Sequence, residues 1–312
     1  MAKLDLEFDG FSSLSVTQSI DNIADEFKLD MLQTHSIQEF FRPFAYTPVE
    51  LKIGNSKPFL TGRILATSAN YSAGSLAVSV QGASLAVTLA QSTLPSIQMD
   101  GQNLFDIVNF VAQKFGLKAK PNITAPRVQQ ARCDTGTNAF EFLNNLAKDH
   151  NCLIYSDTDG SILLDSQEPD VSKALLLHPD DHIGADLSIS FDGSKLSRLY
   201  VAHGQTDNQN IFAQYVYETV PFMCIKHIDA QENPAQKIHW QLLRDNIEAY
   251  SLTIRLPKWE NPNGEHWQKG QILKLDYPQI WLEGYYRARS ISFEMSNNEK
   301  STSMSLEKIL ER

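Results

Sequence analysis

The densest group of side chains able to hold a metal is His178, Pro179, Asp180, Asp181 and His182. Two histidines four apart on one helix can share a zinc ion if a third ligand completes the site. Pro179 lies inside the stretch, no helical apolar face surrounds it and no third ligand is near, so it reads as a solvated connecting loop. Asp157, Asp159 and Gly160 resemble part of a calcium loop, but such a loop needs a third spaced oxygen ligand and a bidentate glutamate beyond the glycine. Neither is present, and apolar alternation on both sides makes Asp157-Thr158-Asp159-Gly160 a hairpin turn. There is no Gly-x-Ser-x-Gly elbow and no phosphate-cradling glycine loop, and His203 and His227 have no partner arrangement for nucleophilic catalysis. No pair among the acidic residues has the apolar setting of a catalytic acid and base. The expectation is therefore no catalytic residue, no metal and no cofactor.

Trp259, Trp267, Trp281, Tyr285 and Tyr286 cluster near the end of the chain. Such rings pack cores, anchor subunit interfaces or stack on sugars. Core packing is the first reading, with Trp259 and Trp267 as candidate subunit-interface residues and sugar stacking as a remoter alternative.

These groups must be positioned by a chain of 312 residues, long enough for about two domains and more than one core. Its 42% hydrophobic and 21% charged residues are ordinary for a folded protein. The balance of 27 basic against 37 acidic residues gives −10. That sign, without a basic stripe, excludes a nonspecific nucleic-acid binder. Met1, Ala2, Lys3, Leu4 and Asp5 do not open a signal peptide, and no apolar run reaches the roughly 18 to 20 residues of a membrane span, so a soluble chain not exported by that route is expected. Cys133, Cys152 and Cys224 are too few and too widely spaced for a disulfide framework or a zinc ribbon, and read as buried thiols of a reducing compartment.

Apolar alternation through Leu4, Leu6 and Phe8, then Leu14 and Val16, then Phe27, Leu29 and Met31, marks the first ninety-odd residues as strands. Val49, Leu51 and Ile53 before Gly54-Asn55, the return from Phe59 to Ile64, and Leu76, Val78 and Val80 extend the pattern into a small antiparallel barrel or sandwich. The period then changes. Leu104, Ile107, Val108, Val111, Ala112 and Phe115 share a helical face that starts after Asn103 and stops at Gly116. A second helix starts at Asn138, with Glu141 placed for a capping box, and ends at His150-Asn151 before a hairpin of Cys152 to Tyr155 and Ile162 to Leu164. Alternation resumes at Leu187, Ile189 and Phe191 and at Leu196 to Val201. Asn233 and Pro234 start one more helix, and strands at Leu252 to Leu256, Ile272 to Leu275, Tyr285 to Ile291 and Met304 to Leu306 follow.

Several strings resemble the Mu-like bacteriophage baseplate hub family, related to phage late control protein D and to the hub part of type VI secretion spikes. Phe11 to Leu29 is similar to its opening hairpin. Leu60-Thr61-Gly62-Arg63-Ile64 followed by Val78-Ser79-Val80-Gln81-Gly82-Ala83-Ser84 resembles a family pattern, with Ala83 where arginine is common and Val87-Thr88-Leu89 where Leu-Val-Asp is frequent. Asn103 to Gly116 and Thr137 to Leu164 resemble its two helices and Asp-Gly hairpin. Trp259 to Gly264, Trp267, Gly270, Tyr285 and Ser290 to Phe293 resemble its closing barrel.

The resemblance implies a β-rich α+β chain with two similar antiparallel β-barrel domains, 1–95 and 169–216 with 250–312. A small α/β unit, 96–168, lies between them, and a helical insertion, 217–249, lies in the second barrel. It further implies a non-enzymatic homotrimer in the tail baseplate of the virion, assembled in the host cytoplasm without a membrane. Such a ring joins the tail tube to the central spike and lets DNA pass. The rival readings are a cell-wall glycan hydrolase and a carbohydrate-binding module.

Overall fold

The computed structural model describes residues 11–33, 41–52, 58–72, 75–168, 170–177, 185–206, 209–230, 233–296 and 299–309. Leu4 to Phe8, Gly54-Asn55 and the His178–His182 stretch lie outside the described residues.

The chain opens with a hairpin of β1 (Phe11–Ser19) and β2 (Glu26–Gln33), followed by β3 (Pro48–Leu51), β4 (Leu60–Ser72) and β5 (Ser75–Ser84). β5 lies between β2 and β4. Leu76, Val78 and Val80 point inward while Ser75, Ala77 and Gln81 are exposed, as a half-buried strand requires. Gly62 is dictated by the close approach of β5, since a Cβ there would sit 2.0 Å from the Ala83 carbonyl oxygen.

The middle unit holds α1 (Val87–Gln91), β6 (Ile97–Asp100), α2 (Leu104–Lys114), β7 (Ala119–Pro121), β8 (Gln130–Cys133), α3 (Ala139–Asp149), β9 (Cys152–Ser156) and β10 (Ile162–Ser166). The two long helices start where the sequence signals placed them. The Asn103 side chain accepts from the Phe105 amide at 2.9 Å and that of Asn138 accepts from the Glu141 amide at 3.0 Å. Leu104, Ile107, Val108 and Val111 of α2 meet Phe142, Leu143 and Leu146 of α3 in one core. Each such side chain contributes about 1.5–3 kcal/mol through burial. Gly160, at φ 81°, turns the β9–β10 hairpin. The short α1 and the β6–β8 pair carry too few apolar repeats to be legible beforehand.

The remainder comprises β11 (Leu175–Leu177), β12 (Asp186–Phe191), β13 (Leu199–Thr206), β14 (Gln209–Val216), β15 (Ile225–Asp229), α4 (Pro234–Ala249), β16 (Tyr250–Leu256), β17 (Ile272–Tyr277), β18 (Leu282–Ser296) and β19 (Glu299–Lys308). Asn233 caps α4, with Pro234 at its start.

The fold is β-rich α+β, as expected. The strands of the first and last regions, expected as two barrels, are hydrogen-bonded into one 11-stranded sheet along the path β12-β16-β19-β18-β1-β2-β5-β4-β3, with β17 and β11 branching from β18. β1 joins the two halves by pairing with β18 from Ser13↔Ser296 to Ser19↔Ser290. Val16, Phe27, Leu29 and Val80 therefore share a core with Leu252, Ile254, Ile291, Phe293 and Met304. Alternation shows which face of a strand is buried but not which strand lies beside it.

The sequence pattern assigns the strand at Leu196 to Val201 to the last β region. β13 pairs with β14 and β15 in a separate three-stranded sheet packed on α4 through Tyr200, Ala202, Ile228 and Ile238.

Candidate assembly surface

A buried polar junction locks the regions together. Asp25, in the β1–β2 turn, accepts from Lys269 and from the Ser156 hydroxyl at 3.1 Å, and Lys269 Nζ also lies 3.1 Å from Ser156 Oγ. One residue comes from each of the first, middle and last regions. Serine, lysine and aspartate in contact are the residue types of a nucleophile with its base, but here the hydroxyl donates to the carboxylate and Lys269 donates to the hydroxyl. Ser156 is fully buried. Burial, the largest influence on both charged groups, pushes Asp25 up and Lys269 down, while their mutual attraction works against both shifts. The trio is a clamp.

Further links converge beside it. Arg287 pairs with Glu307 and donates to the Ser166 carbonyl at 3.0 Å, tying the large sheet to the end of β10. Asp21 accepts from Arg289 and, at 3.1 Å, from Arg244 of α4. α4 also reaches the middle unit through Lys237 to Asp149 at 2.7 Å and the stretch after it through His239 to Glu168 at 2.9 Å. Sequence reading missed this junction because its carboxylates and cations look like ordinary surface charges until the fold buries them.

Trp259 and Trp267, the candidate interface residues, are 1% and 2% exposed. Trp259 Nε1 donates to the carbonyls of Glu294 at 3.0 Å and Ser301 at 2.9 Å, and its ring packs edge-on against Phe59 and Phe293. Their burial leaves no ring surface for a neighbouring subunit, and they hold the core of this chain. Tyr286 is buried as well, whereas Trp281 is 81% exposed at φ 55° on the β17–β18 turn. The Cys152 thiol is buried and pushed up to about 11, by desolvation first and then by Asp165, which makes it a poor nucleophile. No group of three or more metal-ligating side chains occurs among the described residues.

The exposed apolar surface lies elsewhere. In the β13–β15 sheet, Tyr200, Ala202, Ala213 and Ile228 face α4. The opposite face carries Val201, His203, Phe212, Val216, Ile225 and His227. Phe212, Val216, Ile225 and Phe222 are about half exposed, and Met223 before β15 is more so. His203 stacks on His227 with centroids 5.7 Å apart and planes 15° from parallel. On the α4 side, a cavity of about 600 Å³ opens between β14, α4 and the end of β19. A second, polar cleft of about 710 Å³ runs beside Ser156 and Lys269.

With this geometry in place, the chain can be set beside known proteins. Residues 86–166 match the family model described as baseplate hub protein gp44-like, second domain. The middle unit resembles a baseplate hub domain. Its matched span starts at Ala86, just before α1, and ends at Ser166, the last residue of β10. The whole fold resembles the 43 kDa tail protein of prophage MuSo2 from Shewanella oneidensis, with TM-score 0.83 at 18% identity, covering 97% of this chain and 95% of that one. The tail protein from Neisseria meningitidis MC58 gives 0.80 at 18% identity, covering 96% and 92%. The E. coli c3393 protein, a type VI secretion component with structural similarity to the T4 tail proteins gp27 and gp5, gives 0.65 at 9% identity, covering 99% and 76%. At these identities the likeness is one of fold. No curated protein sequence matches the chain.

The hub-like middle unit thus sits where the three-way junction closes, with Ser156 of its hairpin tip holding Asp25 and Lys269 together.

Proposed function

We propose that the chain is a structural hub subunit of a phage-type tail baseplate. Three copies close a ring between the tail tube and the central spike, without catalysis and without a cofactor. The observation that carries this reading is the two-way coverage of fold, 97% of this chain against 95% of the MuSo2 tail protein, with the hub domain match inside it. The two β-rich regions, 1–95 and 169–216 with 250–312, act as the paired halves through which a threefold ring meets a tube of higher symmetry, with β13 and β14 of the second held in the small sheet on α4. The α/β unit 96–168 and the helix-bearing segment 217–249 brace them. The buried Asp25–Lys269 pair between the first and last regions suits a rigid adaptor, because removing either partner leaves the other buried and unpaired. The net charge of −10 suits a channel through which DNA moves without adhering. The site of action is the virion tail, reached by assembly in the host cytoplasm.

Light scattering coupled to size exclusion tests this reading. A concentration-independent mass near three times 35.1 kDa, with ring-shaped particles in electron micrographs, is expected. A chain that stays monomeric at every concentration and forms no ring when mixed with its tube and spike proteins overturns it.

A further inference from the structure

The clamp between the three regions holds chemistry that an ion pair alone does not use. An amine and a carboxylic acid held in contact can condense to an amide with loss of water, provided both are neutral and bulk water is kept away. In water the same groups are an ammonium and a carboxylate, which do not react. The side chains of Asp25 and Lys269 are 1% and 5% exposed. Burial is the first influence on each and favours the neutral form of each, raising the Asp25 carboxyl and lowering the Lys269 ammonium. Moving one proton from Nζ to the carboxylate removes both buried charges together and leaves a free amine beside a carboxylic acid.

The geometry places the reacting atoms. Lys269 Nζ donates directly to Asp25 Oδ1. Ser156 Oγ lies 3.1 Å from Asp25 Oδ2 and 3.1 Å from Lys269 Nζ, so the hydroxyl bridges the amine to the other carboxyl oxygen. The carboxyl is held in place, since Oδ1 also accepts from the Ser19 amide at 3.3 Å and the Asp25 amide donates to Ser84 Oγ at 3.1 Å. The amine is held as well, with Nζ 5.6 Å from the centroid of the Tyr155 ring. Groups fixed in contact by a fold react as if present at about 10⁵–10⁸ M, which offsets the tendency of water to hydrolyse the product. The polar cleft of about 710 Å³, lined by Ser156 and Lys269, gives the released water a way out.

We infer that Asp25 and Lys269 condense into an isopeptide cross-link between the first and last regions, with Ser156 as the proton relay. The Nζ–Cγ bond forms and the Cγ–Oδ2 bond breaks. Ser156 passes one proton from Nζ to Oδ2, which already carries the carboxyl proton, and Oδ2 leaves as water. Amine and acid become amide and water, with no oxidant, reductant or co-reactant. The ion pair described above is the state before condensation. The product joins positions 244 residues apart in the chain, and the inference does not depend on the hub reading.

Mass spectrometry of the denatured full chain is the test. The parent should weigh one water less than its sequence requires. Trypsin does not cleave after an acylated lysine, so it should release residues 4–28 joined to residues 259–274 through Asp25 and Lys269. Asp25→Ala and Lys269→Arg should each restore the full mass. Ser156→Ala keeps both partners and should condense about a hundredfold more slowly. The parent measurement needs no substitution, so it decides the matter whether or not the variants fold. A parent at its full sequence mass with cleavage after Lys269, or a branch at other residues, overturns the cross-link. A Ser156→Ala chain that condenses at the rate of the parent overturns the relay.

Discussion

The middle unit and the small unit built on β13 to β15 are both sheets covered by helix, yet they are stabilised differently. In the middle unit two capped amphipathic helices bury Leu104, Ile107, Val111, Phe142, Leu143 and Leu146 against strands. The small unit has one helix for its three strands, and its buried apolar cluster comprises Tyr200, Ala202, Ile228 and Ile238. It relies on a polar network instead. Asp245, 1% exposed, accepts from Tyr200 Oη at 2.9 Å, Lys226 Nζ at 2.6 Å and Gln241 Nε2 at 2.7 Å. Burial, with Asp245 adding to it, raises the Tyr200 phenol well above its ordinary value and keeps it a donor. A sheet with one helix can cover only one face, so the small unit leaves Phe212, Val216 and Ile225 about half exposed, whereas in the middle unit Phe110 of α2 is the large apolar side chain in solvent among the described residues.

The largest effect should come from severing the junction that joins the middle unit to the large sheet. Lys269→Met leaves Asp25 buried without its partner, and should cost about 3–5 kcal/mol, read as a lower urea midpoint. A Lys269→Met protein that unfolds at the parent midpoint would mean that the regions are held by apolar contacts alone. Within the middle unit, Leu143→Ala should cost about 2–5 kcal/mol through lost burial and a residual cavity. Hydrogen exchange should show the loosening confined to α2, α3 and their strands. In the small unit, Asp245→Ala should cost about 1–3 kcal/mol by stranding buried donors, with faster exchange confined to β13 to β15 and α4. If it instead loosened α2 and α3 as much, the contrast between the units would fail.

The smallest effect concerns the hairpin tip. Lys120 bridges Asp157 at 2.8 Å and Asp159 at 2.7 Å, and these hydrogen bonds, to Asp157 first, hold its ammonium above the usual lysine range. Burial pulls Asp159 upward, but Lys120 and Ser161 outweigh it and leave the carboxyl below the usual range. The raised lysine stabilises the fold below about pH 10.5 and loses that contribution as pH rises through its folded value. The lowered aspartate stabilises above about pH 3.9 and loses it as pH falls through its folded value. Because these side chains are partly in solvent, the gain between those limits is well under about 1 kcal/mol. Lys120→Met should flatten both flanks of a melting-temperature profile against pH.

Much of the local structure was legible from the residues alone. Asn103, Asn138 and Asn233 cap the helices they precede, and Asp157 to Gly160 turns the hairpin between β9 and β10. The aromatics divided less predictably. Trp259 and Trp281 stand in one sequence cluster, yet one is in the core and the other in solvent, since composition does not say which side of a strand or turn faces inward.

The sequence by itself determined strand periodicity, helix caps, turns, the acidic balance and the residue strings of a hub-like middle unit. All of these depend on atoms within a few residues of one another. The tertiary structure alone decided that β1 lies beside β18, that β13 leaves the large sheet for a sheet of its own, and that Asp21 meets Arg244 and Arg289. It also decided that Asp25 and Lys269 meet in a junction where their side chains are 1% and 5% exposed. A side chain's charge and size are written in the sequence, but its dielectric surroundings and its partner are set only when distant segments pack together.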